Sequence, residues 1–334
     1  MTTLICFALK EEAAPFHKIA AGKPGTFTLI VGIGRANAEK SVRHFLTSGG
    51  ALPSLLLAWL PVLAAGADTE KTNTTTVGAV PHLRAWQVFD ERQPVIFQHD
   101  FQAGLGKWRI DINTVGPRAA LDQPAQDQLI QVVDAPDMTN GQKAVRFVIP
   151  REFKSFRSEI SLPYEEGFQE RWYGARLYVP TNWVFSSAGG DIVLQWHAVL
   201  GAEVKSRNFP PLSIHIENDR WKIHRAFGPL EDIQRDAKLL EGPVQRGGWV
   251  AWVCHVRWSS ATNGWIQIWK DGQPVWEVKG PNTYSTQPRT PYFKTGLYHP
   301  EWKQTTPEVE RVIYATEVKV GNEKATYEDV APKS

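Results

Sequence analysis

The chain contains very little sulfur: its 334 residues include two cysteines, Cys6 and Cys254, and two methionines. Two cysteines so far apart exclude a disulfide framework and a cysteine-based zinc site. The 37 basic and 35 acidic residues nearly balance, which excludes the broad positive surface of a nucleic-acid-binding protein. EF-hand loops, HExxH motifs and dense carboxylate clusters are also missing, so we expect no cofactor and no metal, and calcium is not indicated.

No apolar run is long enough for a stable membrane span. The longest, LPSLLLAWLPVLAAGA at residues 52–67, has an apolar core of about a dozen residues, whereas a span needs about 20. It ends in the small-x-small pattern of a signal-peptide cleavage site. We therefore expect residues 50–67 to act as a signal peptide cleaved after Ala67, and the protein to be secreted or periplasmic. The alternative is a buried internal helix, which Pro53 and Pro61 disfavour.

Residues 1–49, which precede this signal-like segment, have a different character. Their pattern of apolar strand, glycine-rich turn and amphipathic helix predicts one short α/β unit. The strings ALKEEAAPF and VGIGRANAEKS resemble the beginning of the purine nucleoside phosphorylase superfamily, whose first phosphate-side turn would correspond to Gly32–Arg35. One such unit cannot bury a core. We interpret it as a truncated fragment without activity, and residues 68–92 as a polar linker.

The rest of the chain is rich in tryptophan, with 14 in total, and in short alternating segments. KAVRFVIP, for example, places Val145, Phe147 and Ile149 on one face. A dozen or more such strands, with turn residues between them, predict an all-β, concanavalin-like β-jelly-roll sandwich over residues 93–330.

Two dipeptides predict where the chain reverses. Asp271-Gly272, between GWIQIWK and QPVWEVKG, is typical of a type I′ hairpin, and Asn218-Asp219 predicts a second turn. Leu230–Leu240 is the one segment after residue 92 that could form a short helix.

Three strings of polar residues interrupt the apolar strands; they are FRSEI at 156–160, QWH at 195–197 and YFKTGLY at 292–298. Alternate strand residues share a face, which pairs Arg157 with Glu159, Gln195 with His197, and Lys294 with Tyr298. If the three strands are neighbours, these faces meet in one groove. His299 points to the opposite side from Tyr298.

This set of side chains suits β-elimination at a uronic acid. The proton on C5 is weakly acidic, and positive or amide groups must offset the neighbouring carboxylate before it can leave. A base then takes that proton, and an acid protonates the departing O4. Histidine suits the base near neutral pH, and a tyrosine near cations can serve as acid, base or both.

The strings RSE, QxH and YFKxGxY, in this order, resemble the signature strands of the jelly-roll polysaccharide lyases, in particular the alginate lyase and heparin lyase I/glucuronan lyase group. The resemblance covers roughly residues 95–320. It implies that Arg157 and Gln195 bind the substrate carboxylate and that His197 is either the base or a charge neutraliser. It further implies that Tyr298 is the general acid, alone or also as the base, and that Lys294 assists at the substrate's acidic groups.

Four further residues complete the predicted site. Glu159 matches the glutamate of the RSE string and would orient Arg157 through an ion pair. Trp196 stands where alginate lyases usually carry a small aliphatic residue, which moves the resemblance toward the heparin and glucuronan branch. Asn282 and Tyr284 lie in a loop before the third string and are candidates for contact with sugar.

Two other functions compete with the lyase. A glycoside hydrolase would need two carboxylates across the scissile bond, and the usual Glu-x-Asp-x-x-Glu strand signature is missing. A non-catalytic carbohydrate-binding jelly-roll module would keep the fold and the tryptophans but has no need of His197 and Tyr298 near Arg157. We therefore expect an anionic polysaccharide as substrate, no nucleic acid partner and a monomeric protein.

Overall fold

The computed structural model describes residues 3–7, 26–30, 83–114, 128–139, 141–150, 155–185, 190–200, 209–284, 289–299 and 309–333. The chain divides into two compact units, Met1–Lys71 and Thr72–Ser334. In the first unit, strand β1 (Thr3–Phe7) pairs in parallel with β2 (Thr26–Ile30). The turn predicted at Gly32–Arg35, the signal-like segment and most of the linker lie outside the described residues.

The second unit consists almost entirely of strands. They are β3 (Val95–His99), β4 (Arg109–Thr114), β5 (Ile130–Asp134), β6 (Lys143–Pro150), β7 (Ser155–Ser161), β8 (Glu165–Glu166), β9 (Glu170–Val179), β10 (Asp191–His197), β11 (Leu212–Glu217), β12 (Arg220–Phe227), β13 (Gln234–Leu239), β14 (Gly248–Arg257), β15 (Trp265–Lys270), β16 (Gln273–Lys279), β17 (Arg289–Thr290), β18 (Tyr292–Tyr298) and β19 (Glu310–Gly321). Two short helices flank them, α1 (Ala85–Val88) and α2 (Tyr327–Val330).

Two large antiparallel sheets form a sandwich. The first has the order β13-β12-β11-β10-β18-β7-β4, and the second has the order β16-β15-β14-β9-β19-β6-β5, with β3 added on β19. Neighbours in these sheets are often distant in sequence, as β10 and β18 are, which is the crossed connectivity of a jelly roll. The predicted all-β jelly-roll sandwich is confirmed.

The core lies between the two sheets and contains the apolar side chains of alternate strand positions. Tyr173 on β9 stacks on Phe293 of β18 at 5.8 Å between ring centroids, and Trp221 on β12 meets Trp252 of β14 at 5.2 Å. Each buried side chain of this size contributes roughly 1.5–3 kcal/mol. The polar residues of the same strands are therefore left on the outer faces.

Both predicted turns are present. Asp271 and Gly272 have φ of 49° and 79°, and Asn218 and Asp219 have φ of 48° and 61°, as a type I′ turn requires. The helix considered for Leu230–Leu240 was wrong, because this segment forms β13 and pairs along its length with the open edge of β12. Backbone hydrogen bonds at that edge outweigh a weak local helix preference. Within the described residues, no helix is long and apolar enough to cross a membrane.

Candidate active site

The first sheet brings the three predicted strings together on its outer face. β7 and β10 lie on either side of β18. Arg157 stands opposite Tyr298, Glu159 opposite Gly296, and Gln195 opposite Lys294. The alternation rule therefore held for each string. The three strands are also neighbours in the sheet, which was the condition for their polar faces to meet.

A buried ion cluster forms the floor of this site. The side chain of Lys294 is 0% exposed, and its Nζ lies 2.7 Å from Glu159 Oε2 and 3.1 Å from Asp111 Oδ2. Burial raises the pKa of Asp111, but Lys294 and Arg109 outweigh it, so the pKa falls below its usual value. Lys294 was predicted to assist at the substrate's acidic groups; in the structure its side chain is buried and its charge is shared by two buried carboxylates.

Glu159 links the floor to Arg157 and Gln195. It is fully shielded, accepts a hydrogen bond from Gln195 Nε2, and lies 3.4 Å from Arg157 Nε through Oε2. The predicted contact between Glu159 and Arg157 is therefore present in the geometry. Gln195 has a second amide hydrogen that this contact does not use.

Arg157 lies over the ring of Tyr298, with its guanidinium carbon 4.5 Å from the ring centroid. Burial lowers the pKa of Arg157, but the charges of Glu159 and of neighbouring groups outweigh it, and the net pKa is raised. The guanidinium is therefore permanently charged and close to the phenol, in a geometry that stabilises a cation over an aromatic face.

His197 at the end of β10 is held as a neutral imidazole. Its Nδ1 lies 2.9 Å from the carbonyl oxygen of Ala198; since a carbonyl only accepts, Nδ1 carries the proton and Nε2 is left as an acceptor. Burial, followed by the charges of Lys294 and Arg157, lowers the pKa of His197 to about 3. Tyr292 lies beside it, with 5.7 Å between ring centroids.

A local irregularity separates Tyr298 from the regular ladder. Between Ile192 and Leu194 the pairing of β10 with β18 shifts, so that Ile192 faces Tyr298 whereas Leu194 faces Thr295. Gly296 lies within this bulge with φ of 136°, and a Cβ there would be 2.3 Å from the carbonyl oxygen of Ser158. Only glycine fits this backbone.

Sequence reasoning missed three members of the cluster. Asp111 and Arg109 lie on β4, paired with β7 through Glu159 and Ser161, and their charged groups are 3.0 Å apart. Tyr292 was the third. The signal was present, because alternation in RIDINT and YFK places all three on the polar face. Counting Arg109, the described cluster has three cations and two carboxylates, one positive charge in excess.

Three predicted substrate contacts need correction. Trp196 is fully buried in the core against Tyr173 and Phe293, on the opposite face from Gln195. Asn282 is also fully buried, and its amide bonds to the backbone of Ser259, Arg257 and Trp265. Tyr284 is buried beside Ala198 and donates to the carbonyl of Phe209 at 2.6 Å. All three side chains are buried in packing and backbone contacts, and none is exposed on the polar face of the sheet.

No group of three or more His, Cys, Asp or Glu side chains in the described part of the chain is arranged to hold a metal ion. Cys254 is buried in the core, and burial raises the pKa of its thiol.

The fold and this polar face define a β-sandwich enzyme. The profile of the family described as "Polysaccharide lyase" matches residues 89–319, more than half of the chain, and the protein therefore belongs to this family and is a polysaccharide lyase. A comparison with curated protein sequences found no match.

Several solved structures are similar to this chain. An endo-β-1,4-glucuronan lyase from the fungus Trichoderma reesei is 21% identical, with a TM-score of 0.57 over 72% of this chain and 99% of that one. An alginate lyase from Pseudomonas aeruginosa is 17% identical, with a TM-score of 0.43 over 65% and 98%. One from Chlorella virus is 12% identical, with 0.42 over 68% and 99%. The comparisons give no support to the nucleoside phosphorylase resemblance of residues 1–49.

Proposed function

We propose that this lyase cleaves a uronic-acid-containing polysaccharide by β-elimination and leaves an unsaturated uronate at the new chain end. The observation that carries the proposal is the excess positive charge of the cluster, next to a neutral His197 and to Tyr298. One unit of positive charge matches one uronate carboxylate, and its partial burial strengthens the attraction.

Arg157 and the free amide hydrogen of Gln195 are the donors to the carboxylate. Neutralising this group makes the C5 proton more acidic, because negative charge that develops in the transition state is then stabilised. Lys294 acts indirectly: it holds Glu159, which in turn holds both donors in position.

His197 Nε2 accepts the C5 proton, the C4–O4 bond breaks, a C4=C5 double bond forms, and Tyr298 protonates the departing O4. The pKa of His197, about 3 in the free protein, makes it a weak base there. A bound carboxylate offsets Lys294 and Arg157, the cations that contribute to the low pKa, and so raises the basicity of His197 in the complex.

The proposal is tested by incubating the full chain with glucuronan, alginate, a heparin-type polymer and an ulvan-type polymer. Ultraviolet absorbance reports the C4=C5 double bond, and reducing ends report every cleavage. Equal growth of the two signals on one polymer supports elimination and identifies the substrate. Reducing ends without absorbance would indicate hydrolysis, and binding without cleavage would favour the carbohydrate-binding alternative.

We further propose that the enzyme acts outside the cytoplasm, with residues 50–67 as its signal, since a polymer of this kind is not taken up intact. Amino-terminal sequencing of the protein recovered from the medium or periplasm of its host tests this. A start at Asp68 is expected, whereas a start at Met1 or Thr2 would contradict it.

A further inference from the structure

Three buried ionisable side chains next to Tyr298 take no part in the chemistry above. His299 Nδ1 lies 2.8 Å from Asp191 Oδ1, and Arg311 Nη1 lies 3.0 Å from Asp191 Oδ2. The three side chains are 0%, 2% and 1% exposed. Taking such groups out of water is unfavourable unless each is well paired.

Two members of this triad are attached to strands of the candidate site. His299 follows Tyr298 directly, and its backbone N–H donates to the carbonyl of Phe156 at 2.9 Å, the residue before Arg157. Asp191 begins β10, the strand that carries Gln195 and His197. The contact between Asp191 and His299 joins β10 to the end of β18, and the backbone hydrogen bond from His299 to Phe156 joins that end to β7. The two contacts together link the three strands that carry the predicted strings.

Arg311 anchors this junction to the second sheet. It lies on β19, donates through Nη1 to the carbonyl of Val184 at 3.0 Å, and covers the ring of Trp183 at 5.1 Å. A displacement of β18 at this end would have to break contacts with both sheets.

The triad lies beside an irregularity in the ladder. Regular pairing between β10 and β18 is interrupted between Ile192 and Leu194, and a bulge leaves the local backbone less constrained by its own hydrogen bonds. Tyr298 is on the far side of this interruption from Gln195. Side-chain contacts must therefore supply the alignment that the ladder does not.

We propose that His299, Asp191 and Arg311 are positioning residues that hold Tyr298 and Arg157 in register with His197. The inference rests on the proposed function, because it takes Tyr298 as a reacting group. A displacement of about 1 Å can cost on the order of a hundredfold in rate, so loss of the triad reduces kcat far more than it changes KM.

Two substitutions of His299 distinguish the effect of its contact with Asp191 from the effect of its ring size. His299→Asn places an amide N–H near the position of Nδ1 and keeps the polar contact with Asp191, whereas His299→Phe keeps a ring and loses that contact. With glucuronan and alginate as probes, we expect kcat of the Phe variant to fall by roughly 10- to 100-fold with little change in KM. The Asn variant should keep most of the wild-type kcat.

Glu165→Gln is the matched control, because it disrupts another buried pair, Arg171 with Glu165 (Nε to Oε1, 3.0 Å), outside the site. It should lower the melting temperature without lowering kcat. The inference is overturned if His299→Phe keeps the wild-type kcat below its melting temperature, or if the Asn and Phe variants lose kcat equally. Full activity of Tyr298→Phe, or no unsaturated product from the wild type, would instead contradict the proposed function and remove the basis of this inference.

Discussion

Lys294 Nζ lies 2.7 Å from Glu159 Oε2, and both side chains are shielded from solvent beneath Arg157 and Gln195. The lysine is therefore part of the support of the site and not of its surface. The carboxylate it neutralises also contacts Arg157 and Gln195.

Replacing this lysine should damage stability and activity together. In Lys294→Met, Glu159 and Asp111 lose the buried cation that they share and keep only Arg157 and Arg109 as charged partners. We expect this loss to lower the free energy of unfolding by up to about 3–5 kcal/mol. Lys143→Met, which breaks the exposed pair with Asp134, should change it by less than about 1 kcal/mol. Urea denaturation of the two variants measures the difference, and equal losses would contradict the account of the floor.

Gly296 provides a test of the bulge. Its substitution by Ala would place a Cβ 2.3 Å from the Ser158 carbonyl oxygen and 2.6 Å from Glu159 Cα. At Gly104, φ is also positive, at 88°, but no atom lies within 4 Å of the added carbon. Strain from φ alone costs about 1–3 kcal/mol at either position.

We therefore expect Gly296→Ala to unfold at a clearly lower temperature than Gly104→Ala and to lose activity, because Glu159 must move. Thermal melts and product formation by both variants check this. Similar melting temperatures would mean that β7 and β18 can separate freely at this point.

Local rules predicted much of this molecule. Alternation placed Arg157, Gln195 and Tyr298 on polar faces, and the same rule applied to QWH would have placed Trp196 in the core. The dipeptide Asp271-Gly272 was sufficient to predict its turn, because its φ values follow from residue type.

The remainder depended on strand order, which local patterns do not encode. Lys294 became a buried residue because β4 lies beyond β7 and brings Asp111 to its other side. Residues 234–239 became a strand because β12 offers an open edge. Nothing in the sequence around Asn282 indicated that its amide would bridge three backbone positions.

Stability should fall in acid because the pKa values of three partly buried histidines are lowered in the folded chain. Burial lowers the pKa of His255 to about 4 and that of His215 well below its ordinary value, and the pKa of His197 is about 3. The unfolded chain binds protons at these positions below about pH 6.5, where the folded chain does not. The contribution of these histidines to the free energy of unfolding is therefore fully present above this pH, and it declines as the pH falls toward 4.

Each such histidine contributes up to ~1.4 kcal/mol per pH unit in this window. His255→Gln should make the decline shallower by one histidine's share, although loss of its stacking on Trp172 lowers stability at every pH. Urea denaturation between about pH 7 and pH 5 measures the slope. An unchanged free energy of unfolding over this range would contradict the prediction.

Arg157 should not be replaceable by lysine. Arg157→Lys keeps the charge but loses the planar fork and its stacking over Tyr298, so a carboxylate is held by fewer donors. We expect kcat/KM to fall by roughly 10- to 100-fold, in line with about 1.5–3 kcal/mol for hydrogen bonds to a charged group. Arg146→Lys, whose guanidinium is 3.4 Å from Gln131, is the control and should leave the rate unchanged.

Tyr298 is proposed to protonate the leaving O4, and removal of its hydroxyl is the sharpest test of that role. The rate of unsaturated-product formation is compared among the wild type, Tyr298→Phe and Tyr314→Phe, the last a tyrosine of the other sheet that contacts Tyr178. We expect the rate of product formation to fall by roughly 10²- to 10⁴-fold for Tyr298→Phe alone, with substrate affinity retained. A Tyr298→Phe enzyme that forms product at the wild-type rate would contradict it.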